Sequence, residues 1–233
     1  MCGRLVISTP PARVAALFDA ALGAGVDPVG HPSWNLGPTR RIDGIHASSE
    51  GRVLDRYRWG LIPSWAKELS FGSKTFNARA ETVATKPSFR SAYKSRRLIV
   101  PVDGFYEWDR SGAQPQPHYF TRSDHTMLAF AGLYETWHDP ANPESPPIAS
   151  VTIITTEANA DMSSIHHRMP VILEQGTFDL WLEGADDERD AIADLLVPAR
   201  PGTLTSHLVD PRVGNVRNDG PELIDEQAPS TLF

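Results

Sequence analysis

At 233 residues with a formal net charge of −7, the chain is long enough to bury one substantial core and has the composition of a soluble globular protein. Its one cysteine excludes an intramolecular disulfide framework and Cys-rich zinc sites, and fits a reducing, cytoplasmic setting. No apolar run approaches the ~18 residues of a membrane span and no signal-peptide core follows the first residues, so no membrane partner is expected.

In chain order, Arg4-Leu5-Val6-Ile7 reads as a short strand. A helix follows, with Thr9 as N-cap, Pro10 at the first position, Val14, Leu17, Phe18 and Leu22 on one face and Gly23 as its stop. A loop through Pro28, Gly30 and Pro32 leads to Trp34-Asn35-Leu36-Gly37-Pro38. Two strands are predicted at 42–47 and 52–59, turned at Gly51. From Leu98 the pattern is β-rich, with runs at 98–102, 105–108, 118–121, 127–134 and 150–155 between Gly, Ser, Asp and Pro clusters. Residues 139–147 form a proline-rich exposed connector. Helical patterns return at 174–182 and 187–196. With no internal repeat, the whole of 1–233 is predicted to be one α+β domain around a curved, mainly antiparallel sheet.

Charge is unevenly placed. Residues 1–110 carry 16 Lys and Arg against 10 Asp and Glu, and residues 111–233 carry 6 against 19. That asymmetry suggests a polyanion-facing surface in the first half, or a solvated arginine-rich face.

Cys2 is the most reactive candidate. Once Met1 is removed, its α-amine and thiol form a 1,2-aminothiol, which closes a thiazolidine ring on an aldehyde as no internal cysteine or lysine does. An α-amine of pKa near 7.8 is roughly 14% neutral at pH 7, against about 0.04% for a lysine near 10.4. A free thiol is roughly 3% thiolate at that pH, and more so beside a cation such as Arg4. The competing assignment is an unreactive core cysteine.

Four further segments carry chemistry. Asn77, Arg79 and Glu81 alternate, so an extended backbone sets an amide, a guanidinium and a carboxylate on one side; a solvated face or a helix cap is the alternative. Glu107 lies in the aromatic run Asp103-Gly104-Phe105-Tyr106-Glu107-Trp108, where a desolvated carboxyl exchanges protons near neutrality, unless it faces water. In Ile165-His166-His167-Arg168-Met169-Pro170 the adjacent histidines are expected to point different ways, one as acid or base and the other structural. Their spacing is poor for a metal, and no metal or cofactor is expected. Trp59-Gly60-Leu61-Ile62-Pro63-Ser64-Trp65 sets an indole in a proline-bent loop, where base stacking is worth about 1–3 kcal/mol, or else in the core. No GxGxxG, Walker, GxSxG or HExxH pattern occurs, which argues against the main dinucleotide, NTPase, α/β-hydrolase and zincin classes.

Taken in order, these motifs resemble the SRAP family, the SOS-response-associated peptidase-like proteins. The resemblance runs through Met1-Cys2-Gly3-Arg4, Trp34-Asn35 with Pro38, Trp59-Gly60 to Trp65, and Asn77-Ala78-Arg79 with Glu81-Thr82. It continues through Lys86-Pro87 with Phe89-Arg90, Asp103 to Trp108, Ile165 to Pro170, and Val216-Arg217-Asn218, nearly the whole chain. It implies a β-barrel-like core flanked by helices, and covalent capture of abasic sites in single-stranded DNA, including at single-strand/double-strand junctions. The implied product is a thiazolidine between Cys2 and the ring-opened deoxyribose aldehyde.

By the same resemblance, Asn77 orients the terminus or sugar, Glu107 transfers protons, and His166 helps open the sugar. Arg4, Arg79 and Arg97 grip phosphates, Trp65 stacks on a base, and Asn35 and Pro38 shape the DNA path. A monomer, cytoplasmic and associated with the nucleoid on damage, is expected. The chain departs from some relatives at Ala66, where they carry a second aromatic, and from others at Leu98, where they carry cysteine.

Two other readings stand beside this one. A cysteine peptidase or autopeptidase uses Cys2 on an acyl carbon, with His166 as base and Asn77 as orienter, and its first cleavage removes Met1. A non-covalent single-strand binder needs no Cys2 at all.

Overall fold

A computed structural model describes residues 3–227. In chain order its elements begin with β1 (Leu5–Ile7), α1 (Pro11–Leu17), β2 (Ala20–Leu22), β3 (Ser33–Leu36), β4 (Arg41–Ser48) and β5 (Gly51–Trp59). Next come β6 (Asn77–Arg79), α2 (Ala80–Val83), α3 (Arg90–Ser95), β7 (Arg97–Val102), β8 (Gly104–Asp109), β9 (Gln116–Arg122), β10 (Leu128–Trp137) and β11 (Ile148–Glu157). The last are β12 (Arg168–Pro170), α4 (Phe178–Glu183), α5 (Arg189–Asp194) and β13 (Leu204–Leu208).

Five of these strands close on themselves. β5, β4, β7, β10 and β11 are antiparallel neighbours in that order, and a parallel pairing of Ser150 with Arg58 and Val151 with Trp59 joins β11 back to β5. The result is a barrel, which removes most open edges. A second sheet, β13-β9-β8-β1-β3, is antiparallel throughout. The two are welded by one apolar cluster in which Leu5, Phe105 and Phe120 of the sheet meet Trp59, Val100, Phe130 and Val151 of the barrel. Phe105 stacks on Phe120 at 5.1 Å between centroids and presents its edge to Phe130 at 5.6 Å, the geometries that aromatic quadrupoles favour. Helices α1, α4 and α5 cover another barrel face through Val14, Phe18, Phe178, Trp181 and Ile192. No helix of the described residues is long and apolar enough to cross a membrane.

The α+β class and barrel-like core are as expected, and the strands predicted from residue 42 onward each appear with bounds within about three residues of those predicted. The first helix is shorter than its periodicity predicts. It ends at Leu17, Asp19 turns the chain at φ +50°, and residues 20–22 pair in parallel with 52–54 of β5. Strand pairing there outweighs the helical pattern that placed Leu22 on the apolar face. The predicted helices at 174–182 and 187–196 are each split into a 3-10 turn and a six-residue helix.

Two glycines explain parts of the motifs. Gly60 has φ +127°, and a Cβ there would lie 2.3 Å from the Gly72 carbonyl oxygen, so only glycine fits. Gly104 lies against the Tyr119 ring, where a Cβ would fall within 2.5 Å. Beside it, Asp103 ties down the end of β1, accepting from the Ser8 and Thr9 amides at 2.6 and 3.0 Å and from the Thr9 hydroxyl at 2.5 Å.

Candidate functional site

The site is built where β1 meets β8. Leu5 pairs with Phe105 and Val6 with Gly104, and the Tyr106 amide donates to the Arg4 carbonyl at 3.0 Å. Cys2 lies outside the described residues. Side chains alternate along β8, so Glu107 shares the inward face of Phe105 while Tyr106 packs on the other side with Val6. Glu107 is only 4% exposed.

Asn77 arrives from β6, which pairs with residues 153–155 of β11. Its backbone is pinned just upstream: the Phe76 carbonyl accepts from Trp59 Nε1 at 2.9 Å and from the Ile153 amide at 3.1 Å. Thr155 Oγ1 donates to the Ala78 carbonyl at 3.2 Å. The buried Trp59 therefore serves the position of Asn77 as well as the core. Residues 155–157 of β11 also receive β12, bringing the segment of His166 to the same strand end.

His166 is half-buried, and burial pushes its pKa below the ordinary imidazole value. The nearby Glu107 carboxylate and a hydrogen bond with the Arg168 backbone oppose that shift, and His167 adds to it. Glu107 and His166 thus lie within electrostatic reach of each other. Nδ1 of His166 is 3.0 Å from both the N–H and the carbonyl of Arg168. The expectation that the two histidines point different ways needs correction. A turn in which the His166 amide donates to Met162 lets both rings leave on one side, stacked at 4.5 Å and 25°. They differ in exposure instead, with His167 in water.

The alternation of Asn77, Arg79 and Glu81 also holds only in part, because the strand ends at Arg79 and Glu81 lies on α2. Glu81 grips Arg168 Nη1 and Nη2 at 2.5 and 3.0 Å, and those hydrogen bonds hold its carboxyl below the usual range. Arg79 is exposed and lines a cleft of about 460 Å³ with Ser163, His167 and Arg168.

Arg4 links the site to a second groove. Its Nη1 donates to Asn35 Oδ1 at 2.6 Å and to the Val213 carbonyl at 2.8 Å, and its guanidinium lies 5.7 Å from the centroid of the Trp108 ring. Asn35 is buried and donates to the carbonyls of Val213, Asn215 and Asn218, so it clasps the 213–218 segment. That clasp fixes the backbone of the segment that carries Val216-Arg217-Asn218. The groove so formed, about 750 Å³, is lined by Asn35, Pro38, Arg40, Arg41, Arg56 and Arg217. Trp65 is 56% exposed, its ring in a T-shaped contact with Phe71 at 5.2 Å.

Arg97 is the residue the structure sets apart. Only 6% exposed, it donates to the carbonyls of Trp181, Gly184, Tyr93 and Lys94. The expectation that it grips phosphate is corrected on that ground: its guanidinium caps the C-terminal ends of α3 and α4. Sequence reasoning passed over Arg40, Arg41 and Arg217 as groove residues and Arg168 as the brace of His166. The Arg40-Arg41 pair two residues after Pro38 was a readable signal; the Arg168 contact joins positions 87 residues apart and had none.

A closed barrel welded to an antiparallel sheet, with Glu107 in electrostatic reach of His166 and an arginine-lined groove reached through Arg4, defines a single-domain α+β protein. Residues 1–216 match the SOS response associated peptidase (SRAP) family, and the chain belongs to it. It is 41% identical over 228 residues to the abasic site processing protein YoqW of Bacillus subtilis, covering 97% of this chain and 99% of that one. It is 34% identical to the abasic site processing protein HMCES of Gallus gallus, covering 96% of this chain and 77% of the relative. Among solved structures, a protein from Bacteroides thetaiotaomicron superposes with a TM-score of 0.86 at 27% identity, over 97% of this chain and all of that one.

Proposed function

We propose that this chain processes abasic sites in single-stranded DNA by covalent capture, forming a thiazolidine through Cys2. The observation that supports the reading is the pairing of β1 with β8, the strand that carries Glu107, together with the electrostatic influence of Glu107 on His166. The relatives named for abasic site processing supply the substrate class.

Met1 leaves first, exposing the Cys2 amine. His166, its neutral form favoured by burial, takes and returns the proton that moves as the sugar opens to its C1′ aldehyde. The amine adds to that carbon, and the carbinolamine loses water as Glu107 delivers a proton to the departing oxygen. The thiol then adds across the C=N bond, its proton passing to nitrogen, and the five-membered ring closes. Asn77 orients the terminus or sugar. Arg79 and Arg4 hold phosphates, Trp65 stacks a base, and Pro38 with Asn35 shapes the strand path. Phosphate contacts of this kind bind without reading sequence, and the aldehyde supplies selectivity for the lesion. The protein acts as a monomer, without metal or cofactor, and takes lesions at single-strand/double-strand junctions as well.

The test incubates the protein with a single-stranded oligonucleotide bearing one abasic site and resolves the mixture on a denaturing gel. A heat-stable shifted band that disappears with Cys2→Ala and is absent on intact DNA is expected. No shifted band from freshly reduced protein sinks the proposal.

A further inference from the structure

We infer that Glu81 is a positioning residue for His166, acting through Arg168; the inference rests on the reading above that His166 moves a proton during capture. Glu81 on α2 accepts from both terminal nitrogens of Arg168, and Nη2 donates a third hydrogen bond to the Thr155 carbonyl at 2.6 Å. A paired fork of this kind fixes orientation as well as charge. The Arg168 side chain is 9% exposed, so it has little room to move while Glu81 holds it. Its backbone pairs with Glu157 in the β11–β12 ladder.

That immobilised backbone is the seat of the imidazole. With the Arg168 N–H and carbonyl both 3.0 Å from Nδ1, a ring with a lone pair on Nδ1 accepts from the amide. A ring with a proton on Nδ1 donates to the carbonyl. Nδ1 keeps a partner in the neutral and cationic ring alike, and proton exchange with substrate falls to Nε2. A seat that suits both states lets one residue serve as base and then as acid.

Glu81 is the exposed end of this brace, at 48% for its side chain. Removing its carboxylate leaves the Arg168 guanidinium buried without its counter-ion. The arginine then turns toward water, and the end of β12 that carries the ring's seat loses the side-chain tether that supplements its ladder pairing. Among the described residues, Glu107 from β8 and the adjacent His167 also act electrostatically on His166, and Arg79 at the end of β6 acts on Glu81. None of these replaces a second carboxylate on Arg168.

The experiment follows the His166 ring resonances of the full-length protein by NMR across pH, assigned with His166→Ala, in wild type, Glu81→Gln and Glu81→Ala. The pH profile of adduct formation with single-stranded abasic DNA is recorded alongside. In Glu81→Ala the His166 midpoint moves upward as the ring gains water, and capture slows about tenfold, a fraction of the roughly 100- to 10,000-fold that acid–base catalysis supplies. Glu81→Gln, which keeps an accepting oxygen, falls between; it carries the comparison alone if Glu81→Ala does not fold. A His166 titration that coincides with wild type in the folded variants overturns the positioning role. Absence of adduct from the wild-type protein overturns the capture reading instead.

Discussion

Replacing Arg97 by methionine separates two roles that a basic residue at this position can have. Methionine keeps most of the stem's packing and removes five donors. Four carbonyls lose a charged partner: Trp181 and Gly184 at 2.5 Å, Tyr93 at 3.0 Å and Lys94 at 3.1 Å. Hydrogen bonds to a charged group contribute about 1.5–3 kcal/mol each, but carbonyls at the ends of α3 and α4 regain water once the guanidinium is gone. The net cost is therefore set at about 3–5 kcal/mol, the range of a broken buried network. In urea this lowers the midpoint by about 2 M at unchanged slope. Measured at low temperature with the variant folded, the salt dependence of single-strand DNA binding stays at its wild-type slope. Arg79→Ala, in contrast, lowers the slope by about 0.7, the value of one phosphate contact. A loss of under about 1 kcal/mol together with a reduced salt slope would refute the reasoning and return Arg97 to the DNA surface.

Asp103→Ala removes the carboxylate that holds Ser8 and Thr9 at the end of β1. A loss of about 2–3 kcal/mol is expected, or roughly 5–10 °C in Tm for a chain of this size, with slower adduct formation because β1 is loosened. An unchanged melting curve counts against the clamp. Asp124 is held down to about 2 by hydrogen bonds from Thr126, with a smaller share from Arg122. Because its folded pKa is depressed, its contribution is present above the unfolded value near 3.9 and disappears as pH falls toward 2. The Tm difference between wild type and Asp124→Asn should accordingly be visible at pH 6 and vanish near pH 2, a small difference since the group is exposed. A difference that persists at pH 2 contradicts that assignment.

How much of this was readable depended on whether the signal was local. The hairpin of β4 and β5 and the strands from β7 to β11 are long and rich in branched and aromatic residues, and each was placed to within a few residues. β2, β6 and β12 span three residues each, too few for any period to show. They exist because β5 and β11 offer them partners. The same distinction runs through the site. Glu107 was legible as a carboxylate in an aromatic strand, whereas its electrostatic contact with His166 comes from packing β8 against the segment leading into β12. Arg97 and Arg79 look alike as sequence, and only the carbonyls of two helix ends set them apart.

The clasp between the first strand and the 213–218 segment also governs timing. Arg4 waits for a carbonyl 209 residues downstream, and Asn35 for one 180 residues away. At about 5–20 residues per second of synthesis, the cationic groove is completed only roughly 10–40 s after its first wall is made. A nascent chain therefore has no assembled groove until residue 218 has been made and has left the ribosome.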